Sequence, residues 1–162
     1  MDAGLAIAVF LALGFAVTNG LHDAANAIAT LVATRAARPS QAIVMATFFN
    51  LLGPLLLGAA VADTIGGIVT VSPSEASAVI GSGLAAATAW NLMTWRLGLP
   101  SSSGHALVGG LVGAAVVEGG VHAVNWGGMD GLHPVGVFGT LIALAVSPVL
   151  GFFAALAVIR GL

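Results

Sequence analysis

The sequence contains no cysteine and no tyrosine, and all four of its positive charges are arginine, so lysine is absent too. Without cysteine there is no disulfide framework, no thiol catalysis and no thiolate metal site. Charge of either sign is scarce: 6% of the 162 residues are Asp, Glu, Lys or Arg, against about 25% in a soluble domain. Ten formal charges cannot coat a water-facing surface of this size. These shortages exclude a soluble globular enzyme and a disordered tail, and four arginines with a net charge of −2 exclude a nucleic-acid binder. What is abundant is apolar: 59% hydrophobic residues and a mean hydropathy of +1.09 place the chain in a bilayer.

A spanning helix uses about 20 apolar residues, so the length predicts an all-α integral membrane domain of about five spans over residues 1–162. The start does not read as a cleavable signal peptide, because Asp2 stands where a basic region belongs. The first apolar run, Ala3 to Val17, is short for a span, yet the stretch to Thr34 is too long for one. A helix broken near Asn19-Gly20 is the expectation that reconciles the two. The second span is expected from Ser40 to Ala62, with Pro39 in its first turn and a kink at Pro54. Ser72-Pro73-Ser74-Glu75 is a capping box that starts the third span, Ala76 to Leu97. Ser101 or Ser102 is placed to cap a short fourth helix, His105 to Val117, whose Gly109, Gly110 and Gly113 suit close helix packing. The fifth span is expected from Val135 to Ile159. Asp63 to Ser74 and Glu118 to Pro134 are expected to be loops.

With five crossings, Arg35, Arg38, Arg96 and Arg160 all fall on one side, which the positive-inside rule makes cytoplasmic. The N-terminus is then outside and the C-terminus cytoplasmic. An odd number of spans starts and ends on opposite sides, so a tandem copy would be inverted, which is a transporter architecture. The sequence holds no second copy, and so reads as one half of such a molecule, completed by a second half or by an antiparallel homodimer.

Asn19, Asp23, Asn26 and Thr30 recur at spacings of four, three and four, along one helix face, with His22 beside them. An ionisable residue within a span is costly, which makes Asp23 a functional candidate. The structural alternative is that Asp23 and His22 satisfy each other or a backbone carbonyl at the helix break. A carboxylate among amide and hydroxyl oxygens suits a small hard cation or a proton. An anion would sit beside that cation, on N–H groups exposed by the break. The second constellation is Pro100-Ser101-Ser102-Ser103-Gly104-His105, where three hydroxyls at a helix start form an oxyanion site without a formal positive charge. Its alternative is a loop whose serines only cap the helix. A third stripe, Thr88, Asn91 and Thr94, reads first as interhelical hydrogen bonding, as does Asn50. His122, Asp130 and His133 have no ligand-like spacing and are expected in solvent. No nucleotide loop, zinc-protease motif or acidic pair occurs.

The string Gly20-Leu21-His22-Asp23-Ala24-Ala25-Asn26-Ala27-Ile28-Ala29-Thr30 resembles the signature of the inorganic phosphate transporter (PiT) family, roughly G-x-[NH]-D-x-x-N-x-x-x-T. His22 occupies a place where many members, notably sodium-coupled ones, have Asn. Trp90-Asn91-Leu92-Met93-Thr94-Trp95 followed by Pro100-Ser101-Ser102-Ser103-Gly104-His105 is similar to a W-N-x-x-T-W stretch and a serine-rich element of bacterial members, with Gly104 departing from the usual Ser or Thr. The resemblance implies two inverted repeats that carry phosphate with sodium or protons, or as a metal–phosphate complex. It implies that Asp23 and Asn26 are cation- and phosphate-site residues, with Ser102, Ser103 and His105 near the anion. Taken with the polar stripes, the expected phosphate contacts are Asn26, Thr30, Ser102, Ser103 and His105. The coupling cation or proton falls to Asp23, His22 and Asn19, with Asn91 and Thr94 as secondary site residues and no further cofactor. The second signature of a full member is missing. The serine string also resembles one in undecaprenyl-pyrophosphate phosphatase, but hydrolysis needs carboxylates beside it and Trp95 to Leu99 supplies none. The expectation is therefore a multi-pass cell-membrane transporter component and not an enzyme.

Overall fold

Ala3–Ala33 forms one uninterrupted helix, α1, in the computed structural model, which describes residues 3–57, 60–131 and 133–161. At 1.5 Å per residue its 31 residues reach about 46 Å, well beyond a hydrocarbon core of about 30 Å. The expected break near Asn19-Gly20 is absent. Asn and Gly each lower helix propensity by about 1 kcal/mol or less, and the intrahelical ladder outweighs that where neither a proline nor an inserted side chain interrupts it. α1 ends instead at Arg35, which takes a left-handed φ of 58° while the Ala36 N–H returns to the Leu31 carbonyl at 3.1 Å.

Helix α2 (Pro39–Leu57) opens with proline at its first position, and the Arg38 N–H donates to the Gln41 side-chain oxygen at 3.1 Å. The helix continues through Pro54. The expected second span is thus helical to Leu57 and again in α3 (Ala60–Gly66), with positions 58 and 59 outside the described residues. Part of the expected loop after Asp63 is therefore helix. Helix α4 (Pro73–Leu97) starts where the capping box predicts, the Ser72 N–H donating to Glu75 Oε2 at 3.3 Å. It closes on Gly98 in the left-handed region, with the Leu99 N–H on the Thr94 carbonyl at 2.9 Å, a Schellman-type stop ahead of Pro100. Helix α5 (Ser103–Gly119) is capped by Ser102, and α6 (Gly136–Gly161) completes the helices.

The run between α5 and α6, expected to be an irregular loop, holds a 3-10 turn (Val121–Ala123) and a hairpin of β1 (Gly128–Asp130) and β2 (His133–Val135). The strands pair antiparallel, Asp130 opposite His133. Three-residue strands are too short for an alternating pattern to show in the sequence. The connections on either side of α4–α5 are strapped together at one end. Val69 bridges Val124, the Thr70 N–H donates to the Ala123 carbonyl, and Asn125 Nδ2 donates to the Gly67 carbonyl at 3.0 Å. Ile68, Val79, Val108, Ala115, Ala123, Val124 and Val137 form the apolar core beneath that strap.

Two contacts set the helix directions. Leu11 and Gly81 meet near one end of the α1–α4 contact, and His22 meets Asn91 and Thr94 further along, so α1 and α4 run parallel. α5 returns antiparallel, with Gly83 against Leu111 and Gly110 against Gly83. The C-terminal ends of α1 and α4 therefore share one end of the bundle, which gathers Arg35, Arg38 and Arg96 opposite the strap. α6 leaves the strapped end and brings Leu144 beside Gly104, so Arg160 lies toward the arginine end too.

Among the described residues, three helices are long and apolar enough to cross a membrane: Ala3–Ala33, Pro39–Leu56 and Gly136–Gly161. α4 has the length, at 25 residues, but Ser82, Thr88, Asn91 and Thr94 interrupt its apolar run, and α5 has 17 residues. Of the five spans expected, three correspond to helices that carry a full apolar span. The exterior is what a bilayer requires, with Phe10 75% exposed, Leu55 76% and Ile159 73%.

Candidate functional site

The polar stripe of α1 survives as one face, since the continuous helix keeps Asn19, Asp23, Asn26 and Thr30 in line. Asn19 and Asp23 are half-buried, and Asn26 and Thr30 are exposed. His22 points about a quarter turn away, toward α4. Its Nε2 lies 3.1 Å from the Asn91 carbonyl and 3.2 Å from Thr94 Oγ1. A carbonyl can only accept, so Nε2 carries the hydrogen. Thr94 Oγ1 in turn donates to the Trp90 carbonyl at 2.9 Å and is thereby oriented to accept from His22. His22 is thus a clamp between α1 and α4. It does not satisfy Asp23, which has no hydrogen bond or ion pair among the described residues. The N–H groups expected at a half-helix near Gly20 are not free either, because the intact helix uses them.

The three serines do not converge on one point. Ser101 Oγ accepts from Trp90 Nε1–H at 2.8 Å, which ties the loop back to α4. Ser102 Oγ accepts from the His105 N–H at 3.3 Å as the helix cap, and also bonds His105 Nδ1 at 2.8 Å. Ser102 and His105 are exposed at the start of α5. Ser103 is 2% exposed, and its hydroxyl has no partner. The capping alternative therefore accounts for Ser102, a loop anchor for Ser101, and neither for Ser103. None of the hydrogen bonds made by residues 101–105 involves a carboxylate, so the string lacks the acid–base partner that phosphatase chemistry requires.

Sequence reasoning ranked Asn91 as secondary, and the structure raises it. The side chain is 0% exposed, and neither its Oδ1 nor its Nδ2 finds a partner; Thr88 Oγ1 is buried and unpartnered as well. Thr94, by contrast, does make the interhelical bond its spacing predicts. The signal for Asn91 lay in the same three-residue spacing, but its isolation becomes visible only once α5 is packed on α4. At the strapped end, Asp63, Asn125, Asp130 and His133 line an open cavity of about 690 Å³. Among the described residues, no three His, Asp or Glu side chains gather closely enough to hold a metal ion.

Residues 19–162 match the phosphate transporter family. A probable low-affinity inorganic phosphate transporter of Rhizobium meliloti (strain 1021) is 44% identical over 96% of this chain and 46% of its own length. The low-affinity inorganic phosphate transporter PitA of Escherichia coli (strain K12) is 37% identical, over 93% of this chain and 32% of that protein. A solved structure described as the sodium-dependent phosphate transporter superposes with a TM-score of 0.80 at 34% identity, covering 98% of this chain and 39% of that one. The chain thus spans less than half the length of these relatives. The relatives are transporters by name, which agrees with the missing carboxylates in setting the phosphatase reading aside. On the match over residues 19–162, the chain belongs to the phosphate transporter family.

Proposed function

We propose that this chain is one half of a cell-membrane transporter that carries inorganic phosphate by cation-coupled symport, with the phosphate between the α1 stripe and the start of α5. The observation that carries the reading is Asp23, a half-buried carboxylate within the apolar helix α1 in the company of Asn19, Asn26 and Thr30, with no partner among the described residues. An unpaired carboxylate there is costly unless a cation or a proton occupies it. The cation then makes room for an anion beside it, held by Asn26 and Thr30 from α1 and by Ser102, Ser103 and His105 from α5. The solved relative is described as sodium-dependent, which makes Na+ the first coupling ion to test. With Nε2–H committed to the Asn91 carbonyl, His22 supports the site by holding α1 in place. The open face of the α1 stripe is where a second half, or an antiparallel copy of this chain, completes the site. The arginine end is cytoplasmic in this reading, which leaves the N-terminus outside.

Uptake of radiolabelled phosphate into proteoliposomes tests the proposal, using the assembled transporter. Asp23→Asn should abolish coupled uptake and leave membrane insertion unchanged, whereas uptake at the normal rate refutes the assignment. Replacing Na+ by choline, collapsing the pH gradient and withdrawing divalent metal in separate arms identify the coupling ion and the transported species.

A further inference from the structure

Asn91 and Ser103 face each other across the α4–α5 contact. Gly83 of α4 packs against Leu111 of α5. Eight residues onward on α4 is Asn91, and eight residues back on antiparallel α5 is Ser103, so equal rise brings both to the same level. The Trp90–Ser101 bond supports that register independently. Around α4, the direction of Asn91 lies about 80° from Gly81, which meets α1, and about 80° on the other side from Gly83, which meets α5. The amide therefore points into the junction of three helices. There it is 0% exposed with both polar atoms unpartnered, and the unpartnered Ser103 hydroxyl stands opposite at 2% exposure.

Buried polar groups are almost always hydrogen-bonded, and an orphan pair of this kind calls for a ligand. The donor set decides its chemistry. A bare cation would be met by Oδ1 but repelled by the Nδ2 hydrogens. A fully deprotonated oxyanion would be met by Nδ2 but repelled by Oδ1. A ligand that both accepts and donates hydrogen bonds satisfies both atoms. Inorganic phosphate at neutral pH retains at least one P–OH beside its P–O⁻ oxygens, and sulfate retains none. We propose that Asn91 is a specificity residue of the phosphate site: its Oδ1 accepts from the P–OH group while its Nδ2 and the Ser103 hydroxyl donate to a P–O⁻ oxygen. This rests on the phosphate reading above and adds to it the basis of discrimination against sulfate. Entry is from the first turn of α5, where exposed Ser102 and His105 flank buried Ser103.

The test uses the assembled transporter in lipid nanodiscs, with calorimetric titration of inorganic phosphate and of sulfate, and thermal melts with and without each. The wild type should prefer phosphate. Asn91→Leu, an apolar replacement of similar volume, should melt no lower than wild type without ligand, lose the phosphate-induced shift, and lower the phosphate-over-sulfate preference by about tenfold or more. Ser103→Ala should weaken phosphate binding and keep part of the preference, which covers the case in which Asn91→Leu does not fold. Retention of the wild-type preference within about twofold in Asn91→Leu, or a lowered ligand-free melting point with the preference intact, overturns the assignment and leaves phosphate transport standing. Failure of the wild type to bind phosphate overturns both.

Discussion

The α4 and α5 backbones meet closely at Gly83 and Gly110, and Gly110→Ala tests whether that crossing sets the site's geometry. A Cβ at position 110 would lie 2.5 Å from the Gly83 carbonyl oxygen and 3.2 Å from its carbon. Both are backbone atoms, so no side-chain rotation relieves the clash. Restoring ordinary contact at 3.4 Å requires α5 to withdraw by about 0.9 Å. A gap of that width forfeits a quarter to a half of the dispersion energy of atoms along the crossing, where Leu84, Ala87, Val108, Leu111 and Ala115 are buried. Overpacking on this scale costs about 1–3 kcal/mol. Gly109→Ala is the matched control, because a Cβ there meets nothing within 4 Å and alanine gains up to about 1 kcal/mol of helix propensity. Tryptophan-fluorescence melts in detergent should place Gly110→Ala below wild type and Gly109→Ala at or above it. Because the crossing fixes the level of Asn91 against Ser103, Gly110→Ala should also weaken phosphate binding. Equal melting points and equal phosphate affinity for the two variants would refute the geometry.

Two smaller perturbations probe the clamp and the cap. His22→Ala removes the bonds to the Asn91 carbonyl and Thr94 hydroxyl and should cost about 1–2 kcal/mol in the same melts. His22→Asn, which keeps a donor, should restore phosphate uptake in proteoliposomes; a failure of His22→Asn to transport would instead make the imidazole itself part of the coupling. Ser102→Ala deletes the α5 cap and should destabilise by about 1 kcal/mol, whereas Ser101→Ala should alter the Trp90 emission spectrum through the lost Nε1–H bond.

Periodicity and capping were sufficient to place most helices, because their signals are local. Ser72-Pro73-Ser74-Glu75 marks a helix start with a proline that needs no N–H and a carboxylate that reaches back to the cap. The α1 stripe was legible for the same reason: spacings of four and three describe a helix face without reference to any neighbour. The break at Asn19-Gly20 was expected from span length alone, whereas the intact ladder carries the helix through that segment and past the length of one span. The three serines were legible as a group but not in their separate roles, which depend on Trp90 reaching over from α4 and on the depth at which α5 begins. Asn91 was the least legible of all. Its burial follows from a glycine eight residues earlier meeting a leucine on another helix, a relation that no spacing within α4 encodes.

The strap that joins residues 67–70 to residues 122–125 fastens one end of the α4–α5 pair, while the short loop between the two helices closes the other. Its hydrogen bonds and the apolar core beneath it hold the C-terminal end of α5. The N-terminal end is held by a short loop with a single tie, Trp90 to Ser101. α5 has 17 residues, a lever arm of about 25 Å. A swing of about 5° about the fastened end carries Ser103 roughly 2 Å, most of the width of a water molecule, over that arm. Ala115, close to the pivot, hardly moves. A swing of this kind would therefore part the buried hydroxyl from the amide opposite it while leaving the apolar core in place.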